Sequence, residues 1–410
     1  MGLAEPAGRW RLLILLGVGE LLAMSPWFSA SAVAPLIVTR WSLSGLDLPL
    51  LTIGVQLGFV VGALLLAVTG AADVLPGRAL FLAGALGAAV ANLGFAYLAD
   101  GEASALVFRV LTGFALAGVY PVGMKIVTGW FSRERGFAIG VLVGALTVGA
   151  SLPYLFRAVG ALSGLDWRAI VASASLAGVA GGLLVAVSVS PGPFDVRAPR
   201  FSLAVARAAF GEPSVRLANL GYLGHMWELY AMWTWIPLFF AASFVAAGST
   251  DPAVASFAAF AVVAVGGIGC AVAGRVADRI GRTTLTMTAM AVSGGCAVAI
   301  GLLFGAPPPV TFALGLVWGV SVVADSAQFS AAITELGPPG TAGSALALQT
   351  ASGFLLTGIT ISLVGLLSAS DALGWRLVFA LLAVGPLVGI VAMGLLRRRP
   401  EAVRMANGNR

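Results

Sequence analysis

Apolar residues dominate twelve stretches of the chain, each bounded by a short turn. They lie near 11–38, 48–71, 79–99, 104–130, 136–158 and 168–190, and again near 214–246, 252–274, 283–304, 309–334, 342–367 and 374–396. About 20 apolar residues cross the hydrocarbon core of a bilayer as a helix. Irregular backbone cannot face lipid, so each stretch predicts a helix; Gly and Pro inside it are tolerated because neighbouring helices satisfy the freed backbone groups. The first stretch follows Arg9 and Arg11 and contains Ala30, Ser31 and Ala32, as a cleaved signal peptide would. Glu20 interrupts it and it is long enough to span, which argues for a retained helix. The pattern therefore predicts an all-α integral membrane protein of twelve transmembrane helices. Residues 1–190 form one six-helix bundle, 191–213 a cytoplasmic linker, 214–396 a second bundle and 397–410 a cytoplasmic tail. Within the linker, Phe201–Phe210 suits a short helix on the membrane surface, with Arg207 toward the headgroups.

Composition sharpens the class. The chain is 59% apolar with 54 further glycines, and only 10% charged, against about 25% charged residues in ordinary soluble domains. This excludes a soluble globular protein, a disordered chain and a nucleic-acid-binding domain, in spite of the net charge of +6. Lys125 is the single lysine among 23 basic residues, and the Arg, Ala and Gly bias suits a GC-rich bacterial coding sequence. Cys270 and Cys296 each lie in an apolar stretch without disulfide or zinc spacing. They read as small buried helix residues, and neither a metal nor a cofactor is expected. Basic residues fix orientation. With the N-terminus inside, 17 arginines fall on the cytoplasmic side, including Arg78, Arg133, Arg197, Arg200 and Arg279, and only Arg40, Arg157, Arg168 and Arg376 outside. Both termini are expected in the cytoplasm, with the bundles in the bacterial inner membrane.

The two halves repeat. Glu20, Leu21, Ala23, Met24 and Trp27 recur 208 positions later as Glu228, Leu229, Ala231, Met232 and Trp235. The turn after span eight holds Gly274, Asp278, Arg279, Gly281 and Arg282. The turn after span two holds Asp73, Gly77 and Arg78, with Thr69 at the first glycine position and one extra residue between Asp73 and Gly77. Parallel repeats of six helices place a pseudo-two-fold axis along the membrane normal, with substrate sites at the midplane between the halves.

The second turn matches the pattern G-x-x-x-D-R/K-x-G-R/K at every fixed position, and on it the chain resembles the major facilitator superfamily over essentially its whole length. The resemblance implies that the two turns act in the conformational switch, which makes Asp73, Gly77, Arg78, Gly274, Asp278, Arg279, Gly281 and Arg282 candidate gating residues. It also implies that spans one, four, seven and ten line the central cavity. Physically, glycine permits close approach and tight turning, and Asp suits a helix N-terminus or an arginine partner.

Charged groups at membrane depth are costly and mark function. Glu20 lies in span one, Arg109 and Lys125 in span four, His225 and Glu228 in span seven, and Asp325 in span ten. All fall on the four spans that the resemblance assigns to the cavity. His225, Glu228, Met232 and Trp235 share one helix face, and an imidazole one turn from a carboxylate can hold and release a proton near neutral pH. The expectation is a proton-coupling or substrate site at Glu228 and His225. Arg109 is expected to pair with an acid such as Glu20, and Lys125 to snorkel toward headgroups. Asp325 and Gln328 form a polar cluster in span ten, with Tyr120 near the same depth. Tyr230, Trp233 and Trp235 offer aromatic faces, or simply packing.

No glycine-rich phosphate loop ending in Gly-Lys-Ser/Thr occurs, so ATP is not the expected energy source. The reading is a monomeric secondary transporter, not an enzyme, that moves a small polar or charged solute by alternating access in symport with protons; its partners are solute, protons and lipid. The alternative is proton-driven export of amphipathic drugs or metabolites. The Gly-Pro pair that drug antiporters of the family carry in span five is missing: Gly140, Gly144 and Gly149 precede Pro153, and Leu152 adjoins it. A membrane enzyme would need a nucleophile or metal cluster, which one histidine and two separate cysteines do not provide.

Overall fold

The computed structural model describes residues 6–43, 47–132, 134–195, 201–368 and 372–410; Arg133, Arg197 and Arg200 of the orientation count lie outside them. Among the described residues, eleven helices are long and apolar enough to cross a membrane. A twelfth crossing is interrupted. Span one consists of Arg9–Ala23 and Ser29–Trp41, separated by a turn at 24–28. Spans two and three are Asp47–Thr69 and Gly77–Tyr97. Span four is also in two pieces, Glu102–Leu116 and Tyr120–Thr128. Spans five and six are Arg135–Ser163 and Trp167–Ser188. The second half runs through Pro213–Ala246, Pro252–Ile280 and Arg282–Leu302. Span ten is divided at Asp325 into Pro308–Ala324 and Ser326–Leu336. Span eleven is Ala342–Ser368, and span twelve comprises Ala372–Val378, a 3-10 turn at Phe379–Ala383 and Val384–Arg397. The fold is therefore the all-helical pair of six-helix bundles that the apolar pattern predicts.

The repeat reappears as a repeated helix crossing. Glycine lets two helix backbones touch where any side chain would hold them apart. A Cβ on Gly113 of span four would strike the Val55 carbonyl of span two, and one on Gly319 of span ten would strike the Val262 carbonyl of span eight. The two halves meet along spans five and eight by the same device, with Gly144 against Gly267 and Gly140 against the Cys270 carbonyl. Away from the termini they meet again where Pro49 and Ile53 of span two approach Gly365 and Gly358 of span eleven. Cys270 and Cys296 are buried and free.

The linker and the tail are both folded against the bundles. The linker helix is Leu203–Gly211, its N-terminus capped by Ser202 Oγ, which accepts from the Val205 amide at 3.4 Å. Just before it, the Phe201 amide donates to the Ala67 carbonyl of span two and the Ser202 amide to Ser344 Oγ of span eleven, each at 3.0 Å. The tail makes a 3-10 segment at Pro400–Gly408 with Ala402 and Met405 fully buried. Arg404 donates to the Leu336 carbonyl at 2.6 Å, Asn409 to the Asp278 carbonyl at 2.9 Å, and the Arg410 carbonyl accepts from Thr283.

Candidate functional site

The break in span one begins with Pro26, which lacks the N–H that would continue the helix. Residues 25–29 close instead with short turn bonds, from Ser25 to Leu22 and from Trp27 to Met24. This leaves the Trp27 carbonyl without a helical partner at membrane depth, where water cannot satisfy it, and the Pro26 carbonyl with turn bonds from the Ser29 amide and hydroxyl at 3.4 and 3.0 Å. Arg109 supplies the donors. Its Nη1 donates to the Pro26 carbonyl at 3.1 Å, to Ser29 Oγ at 3.0 Å and to Asn92 Oδ1 at 2.9 Å, while Nη2 donates to the Trp27 carbonyl and Nε to the Leu51 carbonyl. Asn92 in turn donates to Ser175 Oγ at 3.0 Å. The expected Arg109–Glu20 pair is thus not formed, because the fully buried guanidinium is taken up by the broken helix.

Glu20 is fully buried, with Gly123 of span four packed against its carboxyl group, and neither oxygen has a hydrogen-bond partner among the described residues. Its repeat counterpart differs. Glu228 Oε1 accepts from Trp318 Nε1 at 2.7 Å, and Oε2 from Ser293 Oγ at 2.8 Å. The sequence explains the difference. Gly113 and Gly319 set an offset of 206 for this region, which matches Trp318 with Thr112. The Thr112 hydroxyl is bonded within its own helix to the Phe108 carbonyl. Arg78 and Arg282 set an offset of 204 for span nine, which matches Ser293 with Ala89.

The expected His225–Glu228 pair is also replaced. His225 Nδ1 lies 2.8 Å from Asp325 Oδ1, with both side chains buried. The contact is close enough for an ion pair when His225 is protonated, and Asp325 Oδ1 and His225 Nε2 have no hydrogen-bond partner among the described residues. Asp325 reaches His225 because span ten breaks at that residue. One turn along span seven, Glu228 is already held by Trp318 and Ser293.

The two switch turns carry different ion pairs. In the first, Lys125 Nζ lies 2.6 Å from Asp73 Oδ1 and also donates to the Ala72 carbonyl. Lys125 thus reaches the turn between spans two and three. Gly77 packs against Ile126, and Arg78 is exposed. In the second, Arg282 forms a two-pronged bond with Glu335 at 2.6 and 2.7 Å and donates to Gln328 Oε1 at 2.7 Å. Asp278 stands 3.5 Å from Arg282, and Arg279 is exposed. Gln328 therefore serves the turn. Gly274 meets Gly136 of span five. Gly281 has φ +93°, and a Cβ there would strike the carbonyls of Asn409 and Arg410.

Between the halves lies a cluster of rings that sequence reading saw only in part. Trp27 and Phe28 of span one, Phe59 of span two and Tyr154 of span five face Tyr230 and Trp233 of span seven and Phe354 of span eleven. Ring centroids lie 5.0 Å apart for Tyr230 and Phe354, 5.8 Å for Trp27 and Phe354, and 6.0 Å for Phe28 and Trp233. Tyr154 donates to the Trp233 carbonyl at 3.1 Å. Beside the rings, Thr357 Oγ1 donates to Gln56 Oε1 at 2.6 Å across the interface. Trp235 stands apart and donates to the Ile361 carbonyl of span eleven at 3.0 Å. Tyr120 opens the second piece of span four, packed against the core. The signal for the missed residues is the spacing Gln56/Phe59 and Phe354/Thr357, one turn each on antiparallel partners. A groove of about 950 Å³ is found elsewhere, on the lipid-facing flank of spans two to four, and its lining includes Gly87, Val90 and Phe114. Among the described residues, no three His, Cys, Asp or Glu side chains converge on a metal-sized site.

Spans one, four and ten are interrupted, the two switch turns carry ion pairs, and a cluster of touching rings joins the repeated halves. Residues 16–360 match the sequence profile of the Major Facilitator Superfamily. The chain belongs to that superfamily. Among solved structures it is similar to a bacterial homolog of the human lysosomal transporter Spinster in an inward-facing, unoccupied conformation. The two share 16% identity and a TM-score of 0.73, over 96% of this chain and 98% of that one. The same homolog in its occupied, inward-facing conformation gives 17% and 0.71, with the same coverage. A nucleoside transporter gives 14% and 0.69, over 94% of this chain and 99% of that one. No curated protein matches the chain. A superfamily member with these neighbours is a multi-pass membrane transporter of small molecules.

Proposed function

We propose that this transporter couples movement of a small solute to a proton carried on Glu20, with both chain ends in the cytoplasm of a bacterial cell. The asymmetry between the repeated acids carries the reading. A buried carboxylate without a partner is costly as an anion, and taking up a proton removes that cost. Glu228, fixed by Trp318 and Ser293, already has partners for both oxygens. Glu20 has none among the described residues, so its charge state responds to any partner that approaches it. His225 and Asp325 form a second ionisable pair at the break of span ten, able to relay the proton. The excess of arginines at the turns on the terminal face supports the orientation.

The ring cluster favours amphipathic solutes over strongly hydrated ones, which keeps the export of amphipathic metabolites as the second reading. Flux in proteoliposomes under an imposed pH gradient tests the coupling. Glu20→Gln is expected to abolish gradient-driven accumulation while leaving solute exchange intact. Full coupling in that variant overturns the assignment.

A further inference from the structure

We infer that the cleft accepts an uncharged solute with a flat, aromatic body that carries carbonyl-type hydrogen-bond acceptors. The inference rests on the transport reading above and narrows its solute.

The body follows from the walls. Seven buried rings from five spans meet between the halves, with Trp27 and Phe28 on one side and Tyr230, Trp233 and Phe354 on the other. Such faces bind flat π-systems by offset and edge-on contact. Separation of the halves would open a slot between rings that now touch one another.

The acceptors follow from what the rings leave unsatisfied. Trp27 Nε1 and Trp233 Nε1 are buried donors with no acceptor among the described residues, and so is Gln56 Nε2. Buried donors are normally bonded, and each exception calls for an explanation. Here all three border one interface: two belong to the ring cluster, and Gln56 is tied across it to Thr357. In the present packing these donors have no partner among the described residues, and a solute carbonyl seated between the rings supplies one.

The lack of charge follows from the cations. Arg109 is occupied by the break in span one, and Arg157 donates to the Ala32 carbonyl at 2.7 Å. Lys125 is paired with Asp73, His225 with Asp325 and Arg282 with Glu335. A solute anion would meet N–H dipoles but no unengaged cation. A solute cation would compete for Glu20 with the proton.

Three isosteric probes test the inference on the full-length protein in nanodiscs: 2-naphthamide, 2-naphthoate and 2-naphthylmethylamine, each followed by thermal shift and titration calorimetry. The carboxamide is expected to bind at least tenfold more tightly than either charged probe. Trp233→Phe and Trp27→Phe, which keep a ring and lose the N–H, and Gln56→Leu are each expected to weaken it about tenfold. Failure of the carboxamide to bind, equal or tighter binding of a charged probe, or unchanged affinity in all three folded variants would overturn the inference. The transport reading is separable from it. Glu20-dependent, gradient-driven flux of a charged probe would sink the solute class and leave proton coupling standing, whereas carboxamide binding without any gradient-driven flux would do the reverse.

Discussion

Lys125 of span four and Asp73 of the first switch turn form an ion pair of 2.6 Å, so the turn between spans two and three is anchored to the second piece of a broken helix. The pair is about three-quarters or more shielded from solvent. Removal of either partner strands a charge in a half-buried site. Lys125→Met and Asp73→Asn are each expected to lower stability by about 1–3 kcal/mol. The double variant should recover part of the loss, with a coupling on the order of 1 kcal/mol in a double-mutant cycle. Additive losses in thermal unfolding would show that the pair contributes nothing.

Arg109 is expected to be indispensable to the fold through span one. Arg109→Met leaves the Trp27 carbonyl without its donor and strips a charged donor from the Pro26 carbonyl and the Asn92 amide oxygen, which keep only Ser29, at a cost of roughly 3 kcal/mol. Arg109→Lys should rescue little, since an ammonium cannot fork across five acceptors. Pro26→Ala restores the missing N–H. In that background Arg109→Met should cost less than in the native chain, as measured by unfolding in detergent.

The repeated acids should respond in opposite ways. Glu20→Gln exchanges one unbonded group for another and is expected to leave unfolding unchanged within about 1 kcal/mol. Trp318→Phe removes the donor to Glu228 and should destabilise by about 1–3 kcal/mol. An equal loss in the two variants would remove the distinction between them.

Gly281 has little room for change. Its φ of +93° strains any L side chain, and a methyl group would displace the tail carbonyls. Gly281→Ala is expected to cost about 1–3 kcal/mol and to raise hydrogen exchange along 400–410. Deletion of 400–410 should expose the turn at 278–283 to exchange while the spans stay protected.

The sequence made the twelve crossings legible because apolar length is a local property, and the repeat was legible because Glu20 and Glu228 stand in nearly identical contexts. The partners of those acids were not. His225 lies one turn from Glu228 on one face, yet it is claimed by Asp325 from another span, and helix spacing cannot see a neighbour 100 positions away. Pro26 was visible but read as tolerated; what its carbonyls needed emerged only where Arg109, Ser29 and Asn92 converge. The ring cluster is split over five spans, so no window along the chain holds more than a part of it.

Span seven has no counterpart to the joint in span one. Where the first copy has Pro26, the second has Thr234, whose hydroxyl bonds back to Tyr230 at 2.6 Å inside an unbroken helix. The two arms of the repeat are therefore unequal levers. One is already divided, so movement at residues 24–28 is governed by the Arg109 bonds and not by a helical ladder, whereas its twin runs as a single helix. A duplicated architecture has in this way acquired a jointed side and an unjointed one, and Pro26 with its Arg109 clamp marks which is which, since Pro237 leaves span seven undivided.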